Sequence, residues 1–350
     1  MNQPKEMQTL HPAEESFPPV SVIVLNWNGL AHLEEYLPAL AATDYPNLEL
    51  ILADNASDDG SVERVKARFP QFRVLELDQN YGYCGGNNRA AEAAGGELLV
   101  FLNNDVRVEQ TWLKPMVRLF KEFPKLAAVQ PVIRSDRYPE FFDYAGAAGG
   151  MLDELGYPWC RGRVFDAIER DTGQYGTYPV EIFWASGAAF CVRRDLFLEA
   201  GGFDEDFVLH MEEIDLCWRL QRAGWEIRIS PDSVVRHLGG GTLAQGNPRK
   251  MYFNIRNSLA MLTKNYRAAA LIPVLAARLM FDAAIGMRFL LRGDIPHHLA
   301  VWQAYRDFYV KLPYWLEKRG TLNRELPDRK NPTGFEPMSK LWEYLLKKGF

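Results

Sequence analysis

Cysteine is scarce, with four in 350 residues (Cys84, Cys160, Cys191 and Cys217) and no two in a C-x-x-C pair. That argues against a zinc ribbon or a disulfide framework. The first apolar run is not followed by Gly-x-Gly-x-x-Gly, the turn that a dinucleotide-dependent oxidoreductase would need; Asn26-Trp27-Asn28-Gly29 stands there instead. The opening segment, MNQPKEMQTLHPAEESFPP, holds no apolar stretch. It reads as a flexible leader over 1–18 and not as a signal peptide, so a cytoplasmic, reducing location is expected. No internal repeat is visible. Positive charge is not in excess either: 40 basic residues face 45 acidic ones, a net of −5, which argues against a nucleic-acid partner.

What is present is a hydrophobic fraction of 47%, enough for a sizeable core, and a marked charge asymmetry. Residues 249–350 carry 18 Lys/Arg against 8 Asp/Glu, whereas residues 1–248 carry 22 against 37. An acidic body with a basic tail suggests that the tail meets an anionic surface, a phosphorylated lipid or a bilayer.

Apolar runs at 20–26, 48–53, 72–77, 97–102 and 126–132 read as buried strands. Helical spacing fills 30–42, 61–69, 86–94 and 111–120 between them. Such alternation indicates βαβ units, an α/β fold and a parallel sheet. Further along, 134–180 is rich in Gly, Tyr, Asp and Pro with little periodicity and reads as a long binding loop. A strand-like run at 181–193, a helix at 214–223 and short strands at 225–229 and 233–237 follow. Three helical patterns come last, at 248–266, 268–291 and 296–319.

The second of these has the length of a membrane span, but Arg278, Asp282 and Arg288 interrupt it. At about 100° per residue those charges and Arg292 fall within roughly 120° of one another. Charges gathered on one face predict a helix lying along a membrane interface; a soluble helix packed on the body is the alternative.

In parallel sheets ligands bind beyond the carboxyl ends of the strands, so the residues that follow each strand are the informative ones. Asn26, Trp27 and Asn28 form a polar and aromatic set able to stack on and hydrogen-bond a flat base. Asp54, with Asn55 beside it, offers a carboxylate to an imide N–H or a ribose hydroxyl. Asp58, Asp59 and Gly60 suit a turn and helix cap. Gly85 and Gly86, before Asn87, open a helix whose free N–H groups could face phosphate, although a tight turn with close packing explains them equally well. Asn103-Asn104-Asp105 offers a neutral hydrogen-bonder and a single carboxylate. Asp105 is either a turn residue or a hard ligand for Mg²⁺ or Mn²⁺, with a diphosphate supplying the other oxygens. Trp184-Ala185-Ser186-Gly187 stands beyond the long loop. Glu212 and Glu213 begin a helix, where acids also complement the dipole. His237 ends a strand before the glycines at 239–241.

Taken together, the stretches VSVIVLNWNG, ADNASDDGS, NYGYCGGNN, FLNNDV, WASGAAF, GGFDEDFVLHMEEIDLCWRLQRAGW and VRHLGGGT resemble, in order, family 2 glycosyltransferases of GT-A type, particularly bacterial rhamnosyltransferase-like members. The resemblance frames about residues 20–245. It implies a Rossmann-like, mostly parallel sheet flanked by helices over 19–247, with a donor half at 19–133 and an acceptor half at 134–247; the helical patterns and charge count add a helical, basic extension at 248–350. It implies that Asp54 contacts a uracil or thymine base, that Asn103 and Asp105 take the outer positions of the family's DxD element, and that Asp105 binds Mg²⁺ or Mn²⁺ with His237 as a further ligand. Glu213 takes the role of catalytic base, beside Glu212, and Trp184, Ser186 and Gly187 line the acceptor side. The implied reaction is inverting transfer from a nucleotide sugar, dTDP-rhamnose or a UDP-sugar, to a hydroxyl of a growing surface glycan; that this glycan is lipid-linked is inferred from the basic helical tail and not from an acceptor motif. The implied place is the inner face of the plasma membrane, held there peripherally. A non-catalytic nucleotide-sugar-binding subunit is the alternative.

Overall fold

The computed structural model describes residues 17–164, 166–239, 246–326 and 332–336. Most of the leader (1–16), Gly240 and Gly241 of the glycine run, and the end of the expected extension (337–350) lie outside the described residues.

Four parallel strands, β1 (Val20–Asn26), β2 (Leu48–Asp54), β3 (Phe72–Glu76) and β4 (Leu98–Asn103), lie in the order β3-β2-β1-β4. Helices α1 (Leu30–Ala41), α2 (Ser61–Arg68) and α3 (Gly82–Ala93) join them. β1 and β4 are buried on both faces, which is why they stand out in the sequence as near-continuous apolar runs. Successive residues supply opposite layers: Val22 and Val24 pack under α1, and Ile23 under α3.

The second half of the sheet is mixed. β11 (Ala189–Arg193) runs antiparallel between β4 and β6 (Leu126–Ser135), and β6 pairs in parallel with β12 (Glu226–His237). β5 (Val106–Val108) closes the edge, and α4 (Leu113–Glu122) packs on β6 and β12. The two short strands expected at 225–229 and 233–237 are one strand, interrupted by a register shift between Ser230 and Val234.

The segment read as a binding loop is a second, small sheet. β7 (Gly150–Asp153), β8 (Pro158–Cys160), β9 (Arg163–Val164) and β10 (Ala167–Ile168) form an antiparallel meander, with β13 (Phe335–Glu336) parallel to β7. Strands of two to four residues are too short to show a period of two.

α5 (Arg194–Glu199) and α6 (Glu212–Arg222) precede β12, and after β12 come four helices, α7 (Pro248–Asn265), α8 (Ala268–Leu291), α9 (Ile295–Val310) and α10 (Leu312–Glu325). The last expected helix is thus two, parted at Lys311 just before Pro313. Leu259 and Leu262 of α7, Phe308 of α9 and Trp315 of α10 belong to the same buried cluster as Phe101 and Phe190 of the sheet. The division expected at 247/248 is therefore not a gap between cores.

The expected orientation of α8 is corrected. Arg278 and Asp282 do not face an interface; both are buried, and Arg278 Nε donates to Asp282 Oδ2 at 2.9 Å. The angular clustering of charges was real, but a desolvated ion pair with further partners can occupy the inner face of a helix.

Candidate active site

The tips of β1, β2 and β4 are tied together by one buried amide. Asn26 Nδ2 donates to Asp54 Oδ1 at 3.0 Å and to Ser61 Oγ at 2.9 Å, while Asn104 Nδ2 donates to Asn26 Oδ1 at 3.2 Å. α1 starts so close to this knot that a Cβ on Gly29 would lie 2.4 Å from both Asn26 Oδ1 and Asn104 Nδ2. Asn26 is fully buried, so it shapes the site and does not line it. Asn55 and Asn87 are buried as well, one spanning Tyr81 N and Gly82 O, the other donating to Tyr83 O. α3 begins at Gly82 and not at Gly86, and a Cβ on Gly86 would lie 2.5 Å from Leu25, so close packing explains that glycine. Four expected donor contacts, Asn26, Asn55, Gly86 and Asn87, are in this way turned inward.

Trp27 and Asn28 stay exposed at the mouth, while Asp54 is buried at the tip of β2. Ser57 donates its N–H and hydroxyl to the Asp54 carboxylate at 2.8 and 2.6 Å, which fixes its direction. Trp27 is 58% exposed, so its ring has a free face.

At the neighbouring tip, Asp105 and His237 meet. Asp105 Oδ1 lies 3.2 Å from His237 Nε2, and His237 Nδ1 lies 2.9 Å from Asp143 Oδ2. Asn103 Nδ2 is 3.5 Å from His237 Nε2. Burial lowers the histidine's pKa, but hydrogen bonds to Asp105 and Asp143 outweigh it and raise it to about 10. Burial likewise pushes Asp105 up, and its bond to His237 reverses that and holds it below the usual range. Two cis ligands at about 2.2 Å from a shared octahedral cation stand about 3.1 Å apart, so the Asp105–His237 pair fits one edge of a Mg²⁺ or Mn²⁺ site. Asp143 behind the ring is the partner a metal-bound imidazole needs on its other nitrogen. Among the described residues no three His, Cys, Asp or Glu side chains form a metal-binding group, so a cation here would draw its remaining ligands from substrate and water. Sequence reading missed Asp143, whose partner is 94 residues away.

The acid pair opens α6. Glu213 receives hydrogen bonds from backbone N–H groups, that of Gly187 among them, and Tyr83 Oη donates to Gly187 O at 2.9 Å. One residue on, Ala188 O accepts from Asn103 N at 3.0 Å. The turn at 186–188 therefore links the acid pair to the Asn103 end of the metal edge. Burial raises Glu213 to about 7 against those backbone donors. Burial and the charge of Glu213 push Glu212 well above the usual carboxylate range. The Oε2 atoms of both glutamates are buried and have no protein partner. Of the expected acceptor residues, only Gly187 reaches this pair. Trp184 and Ser186 are buried and committed elsewhere, Trp184 Nε1 to Met151 O at 2.9 Å and Ser186 Oγ to Ala145 O at 3.1 Å.

The loop before α6 is strained: Val208, His210 and Met211 all have positive φ, at 63°, 67° and 73°. α7 holds it. Asn257 Nδ2 donates to the carbonyls of Phe207, Leu209 and His210, each at 2.8 Å, and Arg256 reaches Asp206 O at 2.8 Å.

A sequence profile described as "Glycosyl transferase family 2" matches residues 21–190. The N-acetylglucosaminyl-diphospho-decaprenol L-rhamnosyltransferase of Mycobacterium tuberculosis is 31% identical over 235 residues, covering 62% of this chain and 75% of that protein. The chain belongs to glycosyltransferase family 2. The O-antigen biosynthesis protein RfbC of Myxococcus xanthus is 30% identical over 61% of this glycosyltransferase and 17% of its own length. Solved structures place the fold. S. aureus TarS 1–349 in complex with UDP-GlcNAc aligns with a TM-score of 0.57 at 17% identity, over 95% of this chain and 92% of that one. A mannosyltransferase from Pyrobaculum calidifontis in complex with GDP-Man and Mn²⁺ aligns at 0.51 and 20% identity, over 91% of each. The GT-A architecture, a curled mixed sheet flanked by helices with a helical C-terminal region, is the fold of this family 2 member.

Proposed function

We propose that this chain is an inverting glycosyltransferase that moves a sugar from a nucleoside diphosphate sugar, dTDP-rhamnose or a UDP-sugar, to a hydroxyl of a lipid-linked surface glycan. The observation that carries the reading is the pair of buried, unpartnered glutamate oxygens joined through the turn at 186–188 to the Asp105–His237 edge. A sugar hydroxyl is a weak nucleophile at neutral pH and needs a positioned carboxylate to take its proton as the bond to the anomeric carbon forms. Glu213 suits that task because burial lifts it to about 7, while burial and the charge of Glu213 push Glu212 well above the usual carboxylate range. At the other end Asp105 and His237 would hold Mg²⁺ or Mn²⁺, which supplies charge neutralisation to a departing diphosphate. Asp54 and Trp27 offer the base a hydrogen-bond acceptor and a stacking face, with Asn28 at the same mouth.

Rhamnose as the sugar and a lipid diphosphate carrier on the acceptor follow from the name of the mycobacterial relative and are proposals for this chain. So is the placement on the inner face of the plasma membrane. The test is a panel of nucleotide sugars screened by thermal shift with Mn²⁺, followed by transfer from the stabilising donor to a synthetic GlcNAc-diphospho-lipid. The reading is lost if no donor is transferred or hydrolysed in a metal-dependent way.

A further inference from the structure

A surface helix of a globular protein ordinarily buries its apolar stripe and shows its charges to water. α8 is built the other way round. Its inward stripe is Leu271, Val274, Arg278, Asp282 and Gly286. Besides Asp282, Arg278 bonds the Leu155 carbonyl and the Ser258 hydroxyl, at 2.8 and 2.9 Å. Tyr157 and Tyr305 donate to Asp282 at 2.6 and 2.9 Å. The outward stripe, stepping by three or four residues, is Ile272, Ala276, Met280, Ala284, Met287 and Leu291, with no charge in it. Ile272, Met280 and Leu291 are 78%, 67% and 81% exposed. By length and composition alone the helix could cross a membrane, but its buried stripe packs it on the body along about 22 Å of its axis, from Leu271 to Gly286.

Two observations select what covers this face. The apolar surface continues onto α9, where Leu299 and Trp302 are exposed, and Trp302 stands one turn beyond His298, whose Nδ1 donates to Gly286 O at 2.9 Å. At its margin exposed Arg292 follows Leu291 directly, and exposed Arg306 and Lys311 stand along and just after α9, each beside an acid, Asp307 at 2.8 Å and Asp206 at 3.8 Å. Apolar side chains fringed by an indole and by cations match the boundary between acyl chains and anionic head groups, where long basic side chains reach outward to phosphate.

We propose that the outward face of α8, with Leu299 and Trp302 of α9, docks the protein on an anionic bilayer, apolar side chains among the acyl chains and Arg292 at the head groups. This rests on the reading above that the acceptor is lipid-linked, and it replaces a charged face toward the membrane with an apolar one. The ion pair Arg278–Asp282 is then the device that lets the helix turn its apolar side outward while staying fixed to the catalytic body.

The test is flotation of the full-length protein with phosphatidylcholine vesicles, with and without phosphatidylglycerol, alongside metal-dependent donor hydrolysis in solution. The wild type should float with the anionic vesicles. Met280→Glu/Met287→Glu/Leu291→Glu should lower the bound fraction about tenfold or more, with hydrolysis unchanged, because all three side chains are exposed. Arg292→Glu should weaken binding to the anionic vesicles alone. Normal hydrolysis without flotation overturns the docking and leaves the enzymatic reading standing; flotation without hydrolysis does the reverse. Two other outcomes overturn the proposal. One is a wild-type dimer that the triple variant makes monomeric, which would assign the face to a second copy. The other is flotation that survives the triple variant and is lost on removing residues 337–350.

Discussion

Asn257 of α7 donates to the carbonyl of His210, which stands two residues before the acid pair. The same amide holds the carbonyls of Phe207 and Leu209, so one side chain from the C-terminal region sets a loop with three left-handed, non-glycine residues. Asn257→Ala takes the side-chain donor from the Leu209 and His210 carbonyls, while Phe207 O keeps Arg256 Nη2 at 3.2 Å, and should cost about 1–3 kcal/mol. The variant should lose about tenfold or more in kcat with KM for the donor little changed, since the donor tips of β1, β2 and β4 do not touch the loop. A merely structural role would lower the melting temperature and the amount of active enzyme but leave the pH midpoint of the remaining activity in place. A shifted midpoint is the outcome that marks positioning.

The two glutamates should separate cleanly. Glu213→Gln is expected to lose about 100-fold or more in transfer while thermal stabilisation by donor and Mn²⁺ persists. Burial and the charge of Glu213 push Glu212 well above the usual carboxylate range, which makes it the less readily ionised of the two, so Glu212→Gln should cost far less. Equal losses from the two substitutions would contradict the assignment of the base.

The pH profile carries a definite sign. Glu213 must be ionised to accept a proton, and burial lifts it to about 7. Transfer should therefore rise with pH through about 7 and fall about tenfold per unit below it. Initial rates at saturating donor and Mn²⁺ check this, and a flat profile between pH 5 and 8 would show that a group with an ordinary carboxylate pKa does the work.

Asp143 should matter without touching substrate. It fixes the tautomer and direction of His237 from the far side of the ring at 2.9 Å. Asp143→Asn should raise the Mn²⁺ concentration for half-maximal activity about 10- to 100-fold, with the rate at saturating metal largely kept. Asp105→Asn should not be rescued by excess metal in this way.

The interior of α8 can be tested by stability. Arg278→Met alone strands Asp282 as a buried charge and should cost about 3–5 kcal/mol, whereas Arg278→Met/Asp282→Leu should recover most of that loss. Chemical denaturation curves give both numbers. A single substitution without effect would mean that Arg278 faces water after all.

The strands β1, β2 and β4 were legible because a strand covered on both faces leaves a run of apolar residues and ends in its functional tip. Asp54, Asp105 and Glu213 could be named as candidates because each follows such a run or opens a patterned helix. Asn26 and Asn55 sit at equally plausible tips and turned inward, since nothing local says which way an amide points. Asp143 and Asn257 left no local signal at all; their partners lie 94 and about 50 residues away, and only the packed chain joins them. For α8 the angular spacing of Arg278 and Asp282 was read correctly and their direction was not, because a helical wheel shows which residues share a face and never what that face meets.

The clamp from α7 also sets a timetable for the nascent chain. When the acid pair is added to the growing chain, the asparagine that shapes its loop is still more than 40 residues from being made, and the helices that complete the same core come later still. A chain that builds its sheet early and receives its last site-forming contact late passes through synthesis with its glutamates unplaced. A chain that ends before α7 is therefore expected to leave this loop unclamped and to be inactive.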